Sequence, residues 1–353
     1  MGFGVVILAN GVRADDLMGA TLVEVHERID TPTTVYARFP VYNVDGDLEP
    51  LKDPRFDPGA EIAVFQRAPG FNDCLVKGEV FSHQIRLVHG TEGSTLEIVA
   101  ADTTMAMDRE TKITQWASNT SDSDAVTSIL GPYGLIPDVD STNTRHLEEK
   151  RTLIQHDTDL NFVRMLARRN GFLFWVRCDE NLVETAYFKP PKLEDPDAPV
   201  LKINLDNPTI ESFEITWDVE RPTSVIAESW DGAAKNAIDG AGVPPPAGFA
   251  GDTLLSSLVT ASRSTSVIAA VTDAGDLMGR ASGVLLETSW FIEASCTVSA
   301  QVLGRIIHTH SVVTVDGIGS RYSGSYFVAG VRHVISDVDH KMELSLIRNG
   351  WKA

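Results

Sequence analysis

Residues 157–176, DTDLNFVRMLARRNGFLFWV, spell out a helix, its stop and a strand in one short stretch. Asp157 and Thr158 suit an N-cap, where a side-chain oxygen accepts from the first free backbone N–H groups. Asp159 adds negative charge where the helix dipole is positive. Leu160, Val163, Leu166 and Ala167 then form an apolar stripe at helical spacing. Arg168 and Arg169 fall in the last turn, where cations are favoured, and Asn170-Gly171 supplies a left-handed stop. The aromatic, β-prone run 172–176 follows. Every local signal agrees, which predicts the core of a small α+β unit, and none of these residues is catalytic.

The surrounding chain has a different character. Runs at 5–8, 22–29, 34–39, 62–66, 76–81 and 94–100 are rich in Val, Ile, Thr and aromatics. Turn clusters such as Asn10-Gly11, Asp45-Gly46, Asp57-Pro58-Gly59, Ala68-Pro69-Gly70 and His89-Gly90 separate them. Short strands so spaced predict a sandwich or barrel. Near Thr111 the pattern shifts to a short acidic-fronted helix at 121–130 closed by Gly131, then the 157–176 unit, then a hairpin of 172–177 with 182–188. Strands resume at 210–217 and 224–230. Residues 231–264, rich in Gly, Ala, Pro and Ser and including Pro244-Pro245-Pro246, predict a mobile loop or an arm ordered by a partner.

A helix at 272–288 carries Gly275, Gly279 and Gly283 every four residues, which predicts a smooth face for close backbone approach. Strands at 295–303, 305–308, 312–315, 325–335 and 342–347 complete the chain. The fold class expected is β-rich with an α+β insert.

The formal net charge of −19 argues against nonspecific binding to nucleic acid or to anionic membranes, both of which need a basic surface. Cys74, Cys178 and Cys296 are odd in number and far apart, so neither a disulfide framework nor a metal cluster is expected, and a reducing, cytoplasmic origin is. No basic n-region opens the chain and no stretch approaches a membrane span, so neither a secretion signal nor membrane insertion is expected.

Candidate chemistry is thin. His308 and His310, at i and i+2 on an expected strand, with His333 and His340 nearby in sequence, could ligate a metal, but no carboxylate or Cys ligand has motif spacing. They read as polar strand histidines, and no metal or other cofactor is expected. Ser320, Ser323 and Ser325 lack the flanking glycines of a nucleophile elbow. Glu148-Glu149, and Asp102, Asp108 and Glu110, could offer a carboxylate pair to a glycosidase, yet solvated acids are the simpler reading. No enzyme signature survives.

Several segments together resemble the tail-hub family of contractile injection machines, which includes the phage late control D proteins and the hub portion of the VgrG spike proteins. Asp157, Asp159, Phe162, Leu166, Gly171, Phe172 and Phe174 match its D-T-D-x-x-F-x-x-x-L-A-x-x-x-G-F-x-F segment. The stretch 121–135 resembles the helix and Gly turn that precede it. Phe56-Asp57-Pro58-Gly59 looks like the family's f-x-P-G turn. LVKGEV at 75–80 resembles x-F-x-G-x-V, with Val76 where Phe is usual. Gly324, Tyr326 and His333 match f-S-G-x-Y-x-V-x-x-v-x-H near the end.

The resemblance implies two tube-like β-barrel domains, 1–110 and 200–353, flanking an α/β insert at 111–199. It implies a non-enzymatic homotrimer whose six barrels form a ring matched to a sixfold tail tube on one side and a threefold spike on the other. The implied partners are the tail tube protein, a spike protein, baseplate wedge components, and a tape measure or cargo. The chain stops at Trp351-Lys352-Ala353, where VgrG proteins continue into a spike, so a stand-alone hub is expected, made in the cytoplasm and assembled into a particle. The loop 231–264 is the candidate contact to spike, cargo or baseplate. The alternative is a tail-associated peptidoglycan hydrolase.

Overall fold

The computed structural model describes residues 5–68, 71–231, 235–242, 253–269, 271–336 and 338–351. Period-two alternation builds most of it. The strand Leu22–Arg28 turns Val23, Val25 and Glu27 inward, and His340–Arg348 buries every second residue from His340 to Arg348. These strands join one large sheet of thirteen, nearly all antiparallel, and strand outweighs helix 46% to 17%, which bears out the β-rich expectation.

Across the sheet the order is Ile210–Trp217, Ile292–Ser299, His340–Arg348, Gly324–Ile335, Leu22–Arg28, Thr34–Pro40, Thr95–Ala101, Phe71–Arg86, Glu61–Ala68, Val5–Ala9 and Val12–Arg13. Val312–Asp316 pairs with Gly324–Ile335 and, in parallel, with Val200–Lys202. Strands from the two ends of the chain meet where Gly324–Ile335 pairs with Leu22–Arg28, setting His333 opposite Val25 and Val331 opposite Glu27. Val23, Val35, Val64 and Ile98 from one wing share a core with Val313, Tyr326, Val328 and Met342 from the other.

The middle of the chain packs a second core. Helices Asp122–Leu130 and Asp159–Arg169 cover the hairpin Leu173–Cys178 with Glu184–Lys189, burying Val126, Leu130, Leu160, Val163, Leu166, Phe174 and Phe188. Thr158 is the N-cap of the second helix: its hydroxyl accepts from Asn161 N at 3.3 Å. Asp157 lies outside the helix and accepts from Thr158 N at 2.7 Å. Gly171 turns the chain out at φ 69°. The first helix ends at Leu130 with Gly131 as its C-cap, as expected; Gly131 is still right-handed at φ −54°, and after one tighter turn Gly134 reverses the chain at φ 69°.

Three further expectations are corrected. First, 231–264 is not one shapeless loop. Asn236–Ala241 pairs with Ser224–Asp231, and Ser264–Ile268 pairs with it in parallel. The helix Ala274–Thr288 covers them, burying Leu277, Ala281 and Leu285 on Val225 and Ala227. Gly240 and Gly242 allow this approach, since a Cβ on Gly242 would meet Ala281 O at 2.8 Å. Pro244-Pro245-Pro246, like Pro69-Gly70 and Lys352-Ala353, lies outside the described residues. Second, 305–308 is an irregular segment, and the strand before it ends as Ile292–Ser299 with one helical turn, Ala300–Leu303, after it. Third, Cys74 and Cys178 form a disulfide, with Cα atoms 5.8 Å apart, because the Leu173–Cys178 hairpin strand docks on Phe71–Arg86; Cys296 is free and buried.

Of the three glycines expected to smooth the Ala274–Thr288 helix, only Gly283 meets another backbone: a Cβ there would lie 2.6 Å from Arg168 O. Among the described residues no helix is long and apolar enough to cross a membrane.

Candidate functional site

The densest chemistry in the molecule lies under the seam between the two wings of the sheet. Alternation on Leu22–Arg28 aims Glu27 at the interior, where a carboxylate needs partners to offset its lost hydration. His333 and His340 reach the same place from neighbouring antiparallel strands, Gly324–Ile335 and His340–Arg348. His308 and Thr309 come from the irregular segment before Val312–Asp316. Gln66 and Asp73 come from Glu61–Ala68 and Phe71–Arg86.

These side chains form one continuous hydrogen-bonded string. Asp73 Oδ2 lies 3.1 Å from His308 Nε2, and Glu27 Oε1 lies 2.8 Å from His308 Nδ1. The same Oε1 lies 3.0 Å from His333 Nε2. His333 Nδ1 is 3.0 Å from His340 Nε2, and His340 Nδ1 is 3.2 Å from Gln66 Oε1. Thr309 donates its backbone N–H and its hydroxyl to Glu27 Oε2, each at 3.0 Å.

Burial and charge pull these groups in different directions. Burial would lower the His308 imidazole, but the Glu27 carboxylate beside it and the Asp73 contact outweigh that and bring it up to about 9. Glu27 is held well below the usual carboxylate range, its burial overcome by His308 and His333. Burial pushes His333 down, and pushes His340 down to about 3. His310 does not join the string. It sits at φ 62°, stacked on Trp175 with ring centroids 4.2 Å apart, and burial lowers it to about 4. His308 and His310 therefore do not face the same way from a strand, as their spacing suggested, because their segment is irregular.

Of the residues that carry the family resemblance, His333 alone belongs to this cluster. Phe162, Leu166 and Phe174 are core residues of the insert. Phe172 packs against that core, edge-on to Phe188. Pro58 and Gly59 form a turn with Gly59 at φ 84°, and Gly324 has φ 134°. Tyr326 is buried under the Arg348 guanidinium and donates its hydroxyl to Tyr322 O at 2.9 Å. Asp159 is bound by Lys112, Tyr133 and Gln155.

The carboxylates weighed for hydrolysis differ in partners and exposure. Burial pushes Asp102 up to about 6, and its oxygens accept from backbone: Thr33 N, distant in sequence, donates at 2.7 Å and neighbouring Thr104 N at 3.0 Å. Asp108 accepts from the Thr158 hydroxyl at 2.6 Å, and Glu110, Glu148 and Glu149 are exposed. Glu27 and Asp73 were missed from sequence because no short-range spacing links them to the histidines. The available signal was the inward position of Glu27 in the run Val23, Val25, Glu27.

No curated protein matches the chain in sequence. Solved structures do match its fold. The 43 kDa tail protein of prophage MuSo2 from Shewanella oneidensis aligns over 98% of both chains at 14% identity and a TM-score of 0.66. The tail protein from Neisseria meningitidis MC58 aligns over 99% of this chain and 98% of its own, at 14% identity and a TM-score of 0.68. An E. coli type VI secretion component, described as similar to the T4 tail proteins gp27 and gp5, covers 97% of this chain and 76% of its own, at 12% identity and a TM-score of 0.59. This chain has their fold. A sequence model of the Alg8 N-terminal domain matches residues 4–337, and the chain belongs to that family.

Proposed function

We propose that this protein is a structural hub at the tip of a phage tail or phage-tail-like injection particle. One observation carries the reading: the fold likeness to phage tail proteins runs end to end, over 98% of both chains in the first case. In this reading three copies form a ring, in which 1–110 and 200–353 act as tube-like domains and 111–199 as an insert between them. The ring adapts a sixfold tube to a threefold spike. Ile210–Trp217 and Val12–Arg13, at the ends of the large sheet, have no second strand partner among the described residues, which supports it, since exposed strand edges call for a covering partner. Trp217 is 49% exposed on the first of them. The motif residues Pro58, Gly59, Asp157, Asp159, Phe162, Leu166, Gly171, Phe172, Phe174, Gly324, Tyr326 and His333 then serve folding rather than chemistry.

Deleting the gene in its host and imaging the particles tests this. Tubes without spikes, or no particles, are expected, with rescue by the wild-type chain. Normal spiked particles would overturn it. Peptidoglycan clearing by the purified chain, abolished by one Asp or Glu substitution, would favour the hydrolase instead.

A further inference from the structure

We propose that Glu27, His308 and His333 form a buried structural site for one divalent transition-metal ion of the zinc class. The oxygen and nitrogen atoms they offer all lie within 4.8 Å of one another. Glu27 Oε1 stands 2.8 Å from His308 Nδ1 and 3.0 Å from His333 Nε2. Around a tetrahedral ion with bonds of about 2.0–2.1 Å, neighbouring donor atoms are about 3.4 Å apart. Opening these two contacts by about half an ångström brings them to that spacing. Two imidazoles and a carboxylate suit zinc or its neighbours rather than calcium or magnesium, which take oxygen.

The outer partners carry the inference further. A metal-ligating histidine characteristically donates its other N–H to an oriented acceptor. Here His308 Nε2 faces Asp73 Oδ2, His333 Nδ1 faces His340 Nε2, and His340 Nδ1 faces Gln66 Oε1. With an ion on His308 Nδ1 and His333 Nε2, each ring carries one proton and every one of these contacts joins a donor to an acceptor. Without an ion, a singly protonated His333 breaks the pairing. Glu27 Oε1 then needs His333 Nε2–H, so His333 Nδ1 must accept from His340 Nε2–H. That leaves bare His340 Nδ1 facing a carbonyl oxygen, unless the Gln66 carboxamide is reversed. Glu27 Oε2 is already fixed by Thr309, which leaves the fourth position to water.

The three ligands come from residues 27, 308 and 333, so the ion would bridge Leu22–Arg28, Gly324–Ile335 and the irregular segment at 305–308 across the seam. The reading is independent of assembly into a particle. Full-length protein, purified without a histidine tag, is incubated with zinc, desalted and analysed for metal by mass spectrometry. About one zinc per chain is expected, with a Tm that falls by about 5 °C in chelator and recovers on zinc addition. Glu27→Gln and His333→Gln should each lose the bound zinc, while His310→Gln keeps it. Cobalt, substituted for zinc, should give visible absorption characteristic of tetrahedral nitrogen–oxygen ligation. Wild-type protein that holds less than about a tenth of an equivalent and ignores chelator would overturn the site and leave a metal-free hydrogen-bonded cluster. Zinc retained by both ligand variants would overturn it equally. Since the wild-type titration and the cobalt spectrum need no variant, poor folding of a mutant leaves the test intact.

Discussion

At the scale of single residues, inward-facing charge is what the structure most has to accommodate. In the insert, Asp122 lies between Arg169, His146 and Asn170, which donates at 2.7 Å. Burial alone would raise its carboxyl, but those donors bring it down to about 2. A carboxylate with a lowered folded value contributes fully above its unfolded value of 3.8, and the contribution is lost as pH falls through the folded value. Asp122→Asn should therefore lose about 3 kcal/mol at pH 7, by leaving Arg169 without its charge partner. The gap to wild type should narrow by about 2 kcal/mol as pH falls from 4 to 2 in urea unfolding curves. A gap that stays constant would assign Asp122 no ionic role.

Gly78, in the strand segment that resembles the family's x-F-x-G-x-V, is set by contact instead: a Cβ there would lie 2.0 Å from Ala101 O. Gly78→Ala should lower stability by about 2 kcal/mol or more, read as a shifted denaturation midpoint at unchanged m-value. How far the site could be read from sequence follows from these cases. His308, His333 and His340 were visible as a set, while Glu27 was missed, although its inward place in the run Val23, Val25, Glu27 was an available signal. Their meeting was not, because strand pairing between residues 22–28 and 324–335 is a tertiary fact that no local spacing encodes.

At the scale of elements, the 157–176 unit was read almost whole, because its cap, stripe, stop and strand are all local. Most of the alternating strands hold too, with bounds moved by a few residues, although 76–81 lengthens to Phe71–Arg86 and 305–308 is irregular. What local reading missed was contact between distant segments. The Ala274–Thr288 helix looked as if its three glycines served one face; only Gly283 does, against the end of Asp159–Arg169. Gly283→Val should push these helices apart and lower stability by about 2 kcal/mol, while Gly279→Ala, where a Cβ meets nothing within 4 Å, should be neutral or stabilising. Equal losses from both would contradict this packing.

The Cys74–Cys178 pair ties the long Phe71–Arg86 strand to the insert across 104 residues of sequence. Closing so long a loop restricts the unfolded chain, so Cys74→Ser with Cys178→Ser should lower stability by about 2–4 kcal/mol under oxidising conditions. Under strong reductant the variant and wild type should converge. A difference that reductant leaves untouched would show that packing of the sulfurs, not the bond, matters.

At the scale of the whole molecule, one sheet runs through both ends of the chain, while the insert keeps its own core. Alternation in the sequence announced a β-rich protein, but could not show that strands from the two ends of the chain, such as Leu22–Arg28 and Gly324–Ile335, pair in one sheet. Among the described residues the main path of that sheet ends on Ile210–Trp217 and Val12–Arg13, each paired on one side, and the fold recurs end to end in tail proteins of solved structure. An acidic net charge of −19 would keep free copies apart until specific edges meet. The most direct test is the native mass of the purified chain across low- to mid-micromolar concentrations at physiological salt. The hub reading predicts a closed trimer of the 38.4 kDa chain. A monomer that persists over the whole range, alone and with tube protein added, would contradict it.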